Sequence, residues 1–189
     1  MRSWPNSEAR RSVAVRILGL DPGLRHTGWG VIDAIDNRLQ FVADGVVSPD
    51  PSMSLAERLR VLFAAVQELI VRYEPGECAI EDTFVNQNPV STLKLGHARA
   101  AVMLAPAVAG LLVAEYKPNL VKKSVVGAGH AEKQQVGAMI KILLPGSGNR
   151  SSDAADALAV AICHAHLRET ALRQAEGIVS AGQKKVARL

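Results

Sequence analysis

The stretch Val15-Arg16-Ile17-Leu18-Gly19-Leu20-Asp21-Pro22-Gly23 decides how this chain is read. Its apolar run is a buried strand, and Asp-Pro-Gly ends it with turn chemistry. Outward from it, Gly28 to Ile35 and Leu39 to Val47 read as two further strands, joined through Asp36-Asn37-Arg38 in an antiparallel meander. Ser54 with Glu57 makes a capping box, and Leu55, Leu59, Leu62, Phe63, Val66, Leu69 and Ile70 keep the period of an amphipathic helix that covers one sheet face. Glu77 to Asp82 is a fourth strand. A polar loop from Val85 to Pro89 then leads into a small-residue helix from Ser91 that Pro106 kinks or ends. Leu111 to Ala114 is the fifth strand, so that the apolar stretch Ala100 to Ala114 reads as a buried helix running into a strand. Asn119 to Val126, a break at Gly127 to Gly129, a helix from about Ala131 to Leu144 and the loop Pro145 to Arg150 follow. A last helix starts near Ser152 and runs to about Arg168. Three meandering strands, then alternating helix and strand, then helices, make an α/β fold on a five-stranded mixed sheet flanked by helices.

The 189 residues suit one domain. We expect a disordered extension over 1–14, the folded domain over 15–170 and a flexible basic tail over 171–189. The first fourteen residues hold Pro5, Glu8, Arg10 and Arg11 but no apolar core, unlike a secretory signal. Ala100 to Ala114, interrupted by Pro106 and Gly110, is too short for the roughly 20 residues of a bilayer span. Cys78 and Cys163 both sit in apolar runs, which points away from a disulfide framework or thiolate zinc site and toward a reducing cytoplasm. The net charge of +4 is a mild bias toward polyanions, and it strengthens if bound cations neutralise the acids described next.

Four carboxylates stand where apolar runs meet a loop or helix start: Asp21, Glu81, Asp153 and Asp156. Asp21 could be only a turn residue before Pro22, Glu81 an edge-strand charge, and Asp153 an acid favouring the helix N-terminus. Asp156 is harder to explain so, because Ala154, Ala155, Ala157, Leu158, Val160 and Ala161 describe a mostly buried helix where a lone carboxylate is costly. Asp153 and Asp156 are three apart and share a helix face. Strand ends collect on one rim of a sheet, and four acids meeting there would repel unless divalent cations lay between them. Hard oxygen donors without His or Cys favour Mg²⁺ or Mn²⁺ over Zn²⁺. Acid-only sites of this kind use two ions roughly 3.5 to 4 Å apart to hydrolyse phosphodiesters.

Ile17 to Gly23 with Thr27-Gly28-Trp29-Gly30-Val31 closely resembles the first strand and turn of the RuvC family of Holliday-junction resolvases. Ala79-Ile80-Glu81 with Phe84, Leu93-Lys94-Leu95-Gly96 with Ala98-Arg99, and Asp153-Ala154-Ala155-Asp156-Ala157-Leu158-Ala159 resemble further segments in the family's order, as do Val121 to Gly127 and Ala131-Glu132-Lys133. The resemblance covers about residues 15 to 168. It implies a ribonuclease-H-like fold and a metal-dependent endonuclease that makes paired symmetric nicks in four-way DNA junctions as a homodimer. It implies Asp21, Glu81, Asp153 and Asp156 as the catalytic, metal-binding set, holding two Mg²⁺ per subunit with Mn²⁺ as a substitute. It also implies Lys122 and Lys133 as DNA-binding groups near the scissile strand, Phe84 as an aromatic stacking on unpaired bases, and the branch-migration proteins RuvA and RuvB as partners. A core role for Phe84 is the alternative.

An actin-like or Hsp70-like nucleotide hydrolase also ends its first strand in an Asp and Gly turn, but needs a duplicated domain that 189 residues cannot hold. A junction-binding relative that had lost chemistry would have lost acids. His164 and His166 alternate on a helix and cannot share an ion, His97 and His130 read as solvated, and Asp82 points away from Glu81 as a turn acid.

Overall fold

The chain is seen here as a computed structural model that describes residues 14–82, 88–129, 131–148 and 151–186, with side chains through 168 and at Thr170. Its elements, in chain order, are β1 (Val15–Asp21), β2 (Thr27–Ile35), β3 (Arg38–Val47), α1 (Leu55–Tyr73), β4 (Glu77–Glu81), α2 (Pro89–Val108), β5 (Leu112–Tyr116), α3 (Pro118–Val126), α4 (Lys133–Leu143) and α5 (Ser152–Val186). The strands form one sheet in the order β3-β2-β1-β4-β5. The meander β1–β2–β3 is antiparallel, and β4 and β5 add in parallel on the other side of β1. The five-stranded mixed sheet therefore agrees with the reading of the sequence.

Period-two alternation divides the core between the two faces. Ile17, Ile32 and Ala79 face α3, α4 and α5, where they pack with Val121, Val125, Val136, Ile140, Leu158 and Ile162. Leu18, Leu20, Cys78 and Ile80 face α1 and α2, against Leu62, Val66, Ala98 and Val102. The expected capping box forms at α1: Glu57 accepts from the Ser54 amide at 2.8 Å, and the Ser54 hydroxyl accepts from the Glu57 amide. Asn88 caps α2 by accepting from the amides of Val90 and Ser91.

Several boundaries differ from expectation, four of them informatively. Helix α2 starts at Pro89, whose missing N–H costs nothing in a first turn, and Pro106 ends it only two residues later. Its outer side is not buried: Leu104 is 54% and Val108 64% exposed, because α2 covers the sheet with one stripe only. Strand β5 runs on to Tyr116, since parallel pairing of Glu81 with Tyr116 extends the ladder beyond the apolar residues. Residues 118–126 are helical, opened by Pro118 and closed by Gly127 at φ +83°, a left-handed cap that glycine adopts without steric cost. Helix α5 passes the expected end near Arg168 and continues to Val186.

Candidate active site

The parallel register of β1 and β4 sets the first two acids side by side. Leu20 pairs with Ile80, so Asp21 and Glu81 are the next residues on neighbouring strands. Leu20 and Ile80 face α1 and α2, and alternation therefore turns Asp21 and Glu81 to the opposite face, toward α5. The turn after Asp21 is fixed by buried Thr27, whose hydroxyl donates to the Gly23 carbonyl at 2.7 Å and accepts from the Gly23 amide.

Three glycines let α5 come down onto this pair. A Cβ on Gly28 would collide with the Asp153 carbonyl, one on Gly19 with the backbone of Ala157 and Ala161, and one on Gly30 with Leu158 Cδ2 at 2.6 Å. Backbone lies on backbone along the first three turns of α5, and the helix start is thereby held against the ends of β1 and β2. Asp153 and Asp156, one turn apart and half-buried, are brought to the rim where Asp21 and Glu81 end their strands.

Their mutual repulsion is visible in their proton affinities. Asp21 is pushed up to about 8, first by burial, then by the charges of Glu81, Asp156 and Asp153. Glu81 is raised as well, by burial and by Asp156, although a hydrogen bond with Asp21 and the positive charges of Lys133 and Lys122 act the other way. Of the two, Asp21 has its proton affinity raised most clearly, and burial beside Glu81 is the reason. Lys133, at the start of α4, donates to Asp156 Oδ2 at 2.9 Å and to Ser152 Oγ at 3.1 Å, and the Asp156 bond raises its own proton affinity.

Among the described residues, no three Asp, Glu, His or Cys side chains are drawn into a cage tight enough for an ion as they stand. The donor set nevertheless suits one: four carboxylates on a rim, oxygen donors only, in excess of the charge that Lys133 and Lys122 supply. Lys133 answers part of that excess through Asp156, and a hard divalent cation would satisfy it more fully.

Phe84 and His130 lie outside the described residues. Asp82 sits beyond β4 with its carboxylate 3.6 Å from Arg99 Nη2, and His97 is exposed. Arg99 also reaches the Glu81 carbonyl at 3.5 Å and forms an ion pair with Glu115, so it braces the end of β4 from the α2 side. His164 is buried in a network that the sequence did not announce. Its Nδ1 meets the Tyr116 hydroxyl at 2.7 Å and its Nε2 meets Glu77 Oε2 at 2.7 Å, while Arg168 Nε donates to Glu77 Oε1 at 2.7 Å. His166 turns away to the Ser124 carbonyl, so the two histidines share nothing.

The family model described as crossover junction endodeoxyribonuclease RuvC matches residues 17–164. A protein of that description from Paramagnetospirillum magneticum is 60% identical over 164 residues, which is 87% of this chain and 99% of the relative. One from Rhodospirillum rubrum is 63% identical over 158 residues, 84% of this chain and 94% of the relative. Among solved structures, RuvC of Thermus thermophilus in complex with a Holliday junction substrate superposes with a TM-score of 0.78 at 33% identity, covering 83% of this chain and 96% of the other. The yeast mitochondrial Holliday junction resolvase superposes with a TM-score of 0.67 at 10% identity, covering 88% and 86%, a likeness of fold alone.

Proposed function

The chain belongs to the RuvC family of crossover junction endodeoxyribonucleases, and from that premise we propose how its residues act. It is a divalent-metal-dependent endodeoxyribonuclease that resolves four-way DNA junctions in recombination and repair. Asp21, Glu81, Asp153 and Asp156 would hold the cations, two Mg²⁺ per subunit, with Mn²⁺ able to take their place. When bound, such ions supply a nucleophilic hydroxide from water and charge neutralisation at the phosphoryl group. The observation that carries this reading is the meeting of four acids, distant in sequence, on one rim with more negative charge than their neighbours compensate.

Lys133 stabilises charge that develops on the phosphoryl oxygens, since its amine already stands beside Asp156 at the rim. Lys122 acts with it in holding the scissile strand. Phe84, five residues after the buried Ala79 and just past the active-site strand, stacks on bases opened at the junction centre. Hydrolysis leaves 5′-phosphate and 3′-hydroxyl ends.

Two symmetric cuts call for a two-fold pair of sites, and we assign the dimer contact to α2. Val90, Leu93, Leu104 and Val108 are each more than half exposed on that helix, with Leu112 beside them on edge strand β5. That is the apolar surface a second copy of this chain would cover. Residues 15–170 form the nuclease domain, with 1–14 and the basic 171–189 as flanking segments, and RuvA and RuvB are the branch-migration partners. We place the protein in the cytoplasm; among the described residues no helix is long and apolar enough to cross a membrane.

The test is nicking of a labelled four-way junction beside linear duplex and an RNA/DNA hybrid, with Mg²⁺ and with chelator. Paired nicks in the junction alone, abolished by chelator, are expected. Equal cleavage of all three substrates, or cleavage that survives chelation, would overturn the reading.

A further inference from the structure

A cleft of about 590 Å³ opens beside Asp153 on the face opposite Lys122 and Lys133. The turn between β1 and β2 gives it Leu24, Arg25 and His26; α1 gives Arg58; α2 gives Lys94. Its size falls within the range of about 300 to 1,000 Å³ usual for ligand sites. Charge is its distinguishing property: Arg25, Arg58 and Lys94 are cationic, His26 can become so, and the acid among the lining residues is Asp153 of the candidate catalytic set.

These cations are not committed elsewhere. Among the described residues neither Arg25 nor Lys94 makes an ion pair, and both are exposed. Arg58 is different, for it is built into the wall. Its Nη2 donates to the Leu24 carbonyl at 2.9 Å, which fixes the guanidinium, while its Nε is buried with no partner among the described residues. A buried, unsatisfied donor on a charged group costs free energy, and an anionic oxygen would relieve that cost.

We propose that this cleft seats the sugar–phosphate backbone of the strand being cut, next to the scissile phosphate. The inference rests on the nuclease reading above and extends it. One strand crossing the rim would be held by Lys122 and Lys133 on the α5 face and by Arg58, Arg25 and Lys94 on the α1 and α2 face, with the four acids between. Arg58 is the fixed point of that second grip, and Arg25 and Lys94 are its adjustable arms. Phosphate contacts of this kind set register without reading bases.

The experiment measures affinity for a four-way junction against salt concentration, with chelator present so that no strand is cut. It compares the wild-type protein, the double variant Arg25→Ala/Lys94→Ala, and Arg38→Ala at the far end of the β2–β3 hairpin. Because both cleft residues are exposed, the double variant folds. It should bind on the order of tenfold more weakly at moderate salt, and its slope of log affinity against log salt should be shallower by about two. Arg38→Ala should stay within twofold of wild type with an unchanged slope. A double variant with wild-type slope, while the wild type still nicks junctions with Mg²⁺, would overturn the cleft assignment and leave the nuclease reading standing. Wild-type protein that binds no DNA would overturn both. Inorganic phosphate added at constant ionic strength should weaken junction binding by the wild type more than by the double variant; equal weakening of both would overturn the cleft assignment.

Discussion

Strand β4 begins with Glu77 and ends with Glu81, and alternation turns both side chains to the same face, toward α5. The two carboxylates have opposite fates. Burial would raise Glu77, but hydrogen bonds from Arg168 and His164 outweigh it and hold the group below its usual range. Glu81 is raised, because burial is reinforced by Asp156 and only partly answered by Asp21, Lys133 and Lys122. A protein able to compensate one buried glutamate so fully at one end of a five-residue strand has left the other undercompensated. The lesson is that Glu77 ties β4 to α5 for stability, whereas the rim keeps its excess charge for something that binds there.

The largest test of that contrast is Asp21→Asn. On the proposed assignment it removes a carboxylate that would hold the cations, and junction cleavage should fall by at least about 10³-fold in a single-turnover assay. Stability should move the other way. Asp21 binds its proton more tightly folded, near 8, than its ordinary 3.8, so ionising it costs the folded state nothing below 3.8 and progressively more up to about pH 8. In chelator, the melting temperature of Asp21→Asn should therefore exceed that of wild type by a margin that widens from pH 4 to pH 8. A variant that cleaves normally, or that melts lower throughout, would erase the distinction between the two ends.

Glu77→Gln should show the reverse pattern, keeping cleavage and losing about 1–3 kcal/mol of stability by urea denaturation at neutral pH, since the acceptor shared by Arg168 and His164 loses its charge and one of its two oxygens. The folded pKa lies below the ordinary 4.5, so the stabilisation is present above that value and fades as pH falls beneath it. The gap between wild type and Glu77→Gln should accordingly close in acid. The smallest effect is expected from Tyr116→Phe, about 1 kcal/mol, for it removes one hydroxyl from His164 while leaving the ring in place. Equal losses from Glu77→Gln and Tyr116→Phe would mean that the ion pair contributes nothing of its own.

The acids were legible because each stands against its background: a carboxylate after Leu18-Gly19-Leu20, another after Cys78-Ala79-Ile80, two within an alanine helix. Local pattern also gave the strands of the meander and the capped helix α1. Partnerships across long separations were not legible. His164 and Arg168 reach Glu77 from 87 and 91 positions away, and Arg58 meets Leu24 from 34 away, with nothing nearby in sequence to mark the pairing. Helix α3 was hidden behind Pro118 and a Val-rich end, where propensity is weak and packing of Val121 and Val125 decides. The exposed outer side of α2 is not legible either, because apolar composition alone does not say which stripe meets the sheet.

Gly19 and Gly28 set main chain of the sheet directly against main chain of its principal helix, and Gly30 leaves room there for Leu158. Main chain is the stiffest part of a protein, and here it acts as the gauge block that fixes how far the helix-borne acids stand from the strand-borne ones. Drift elsewhere in the interior can be absorbed by rotamers before it reaches the rim. The spacing that divalent chemistry demands is in this way decoupled from most of the sequence, leaving the rest of the core free to vary.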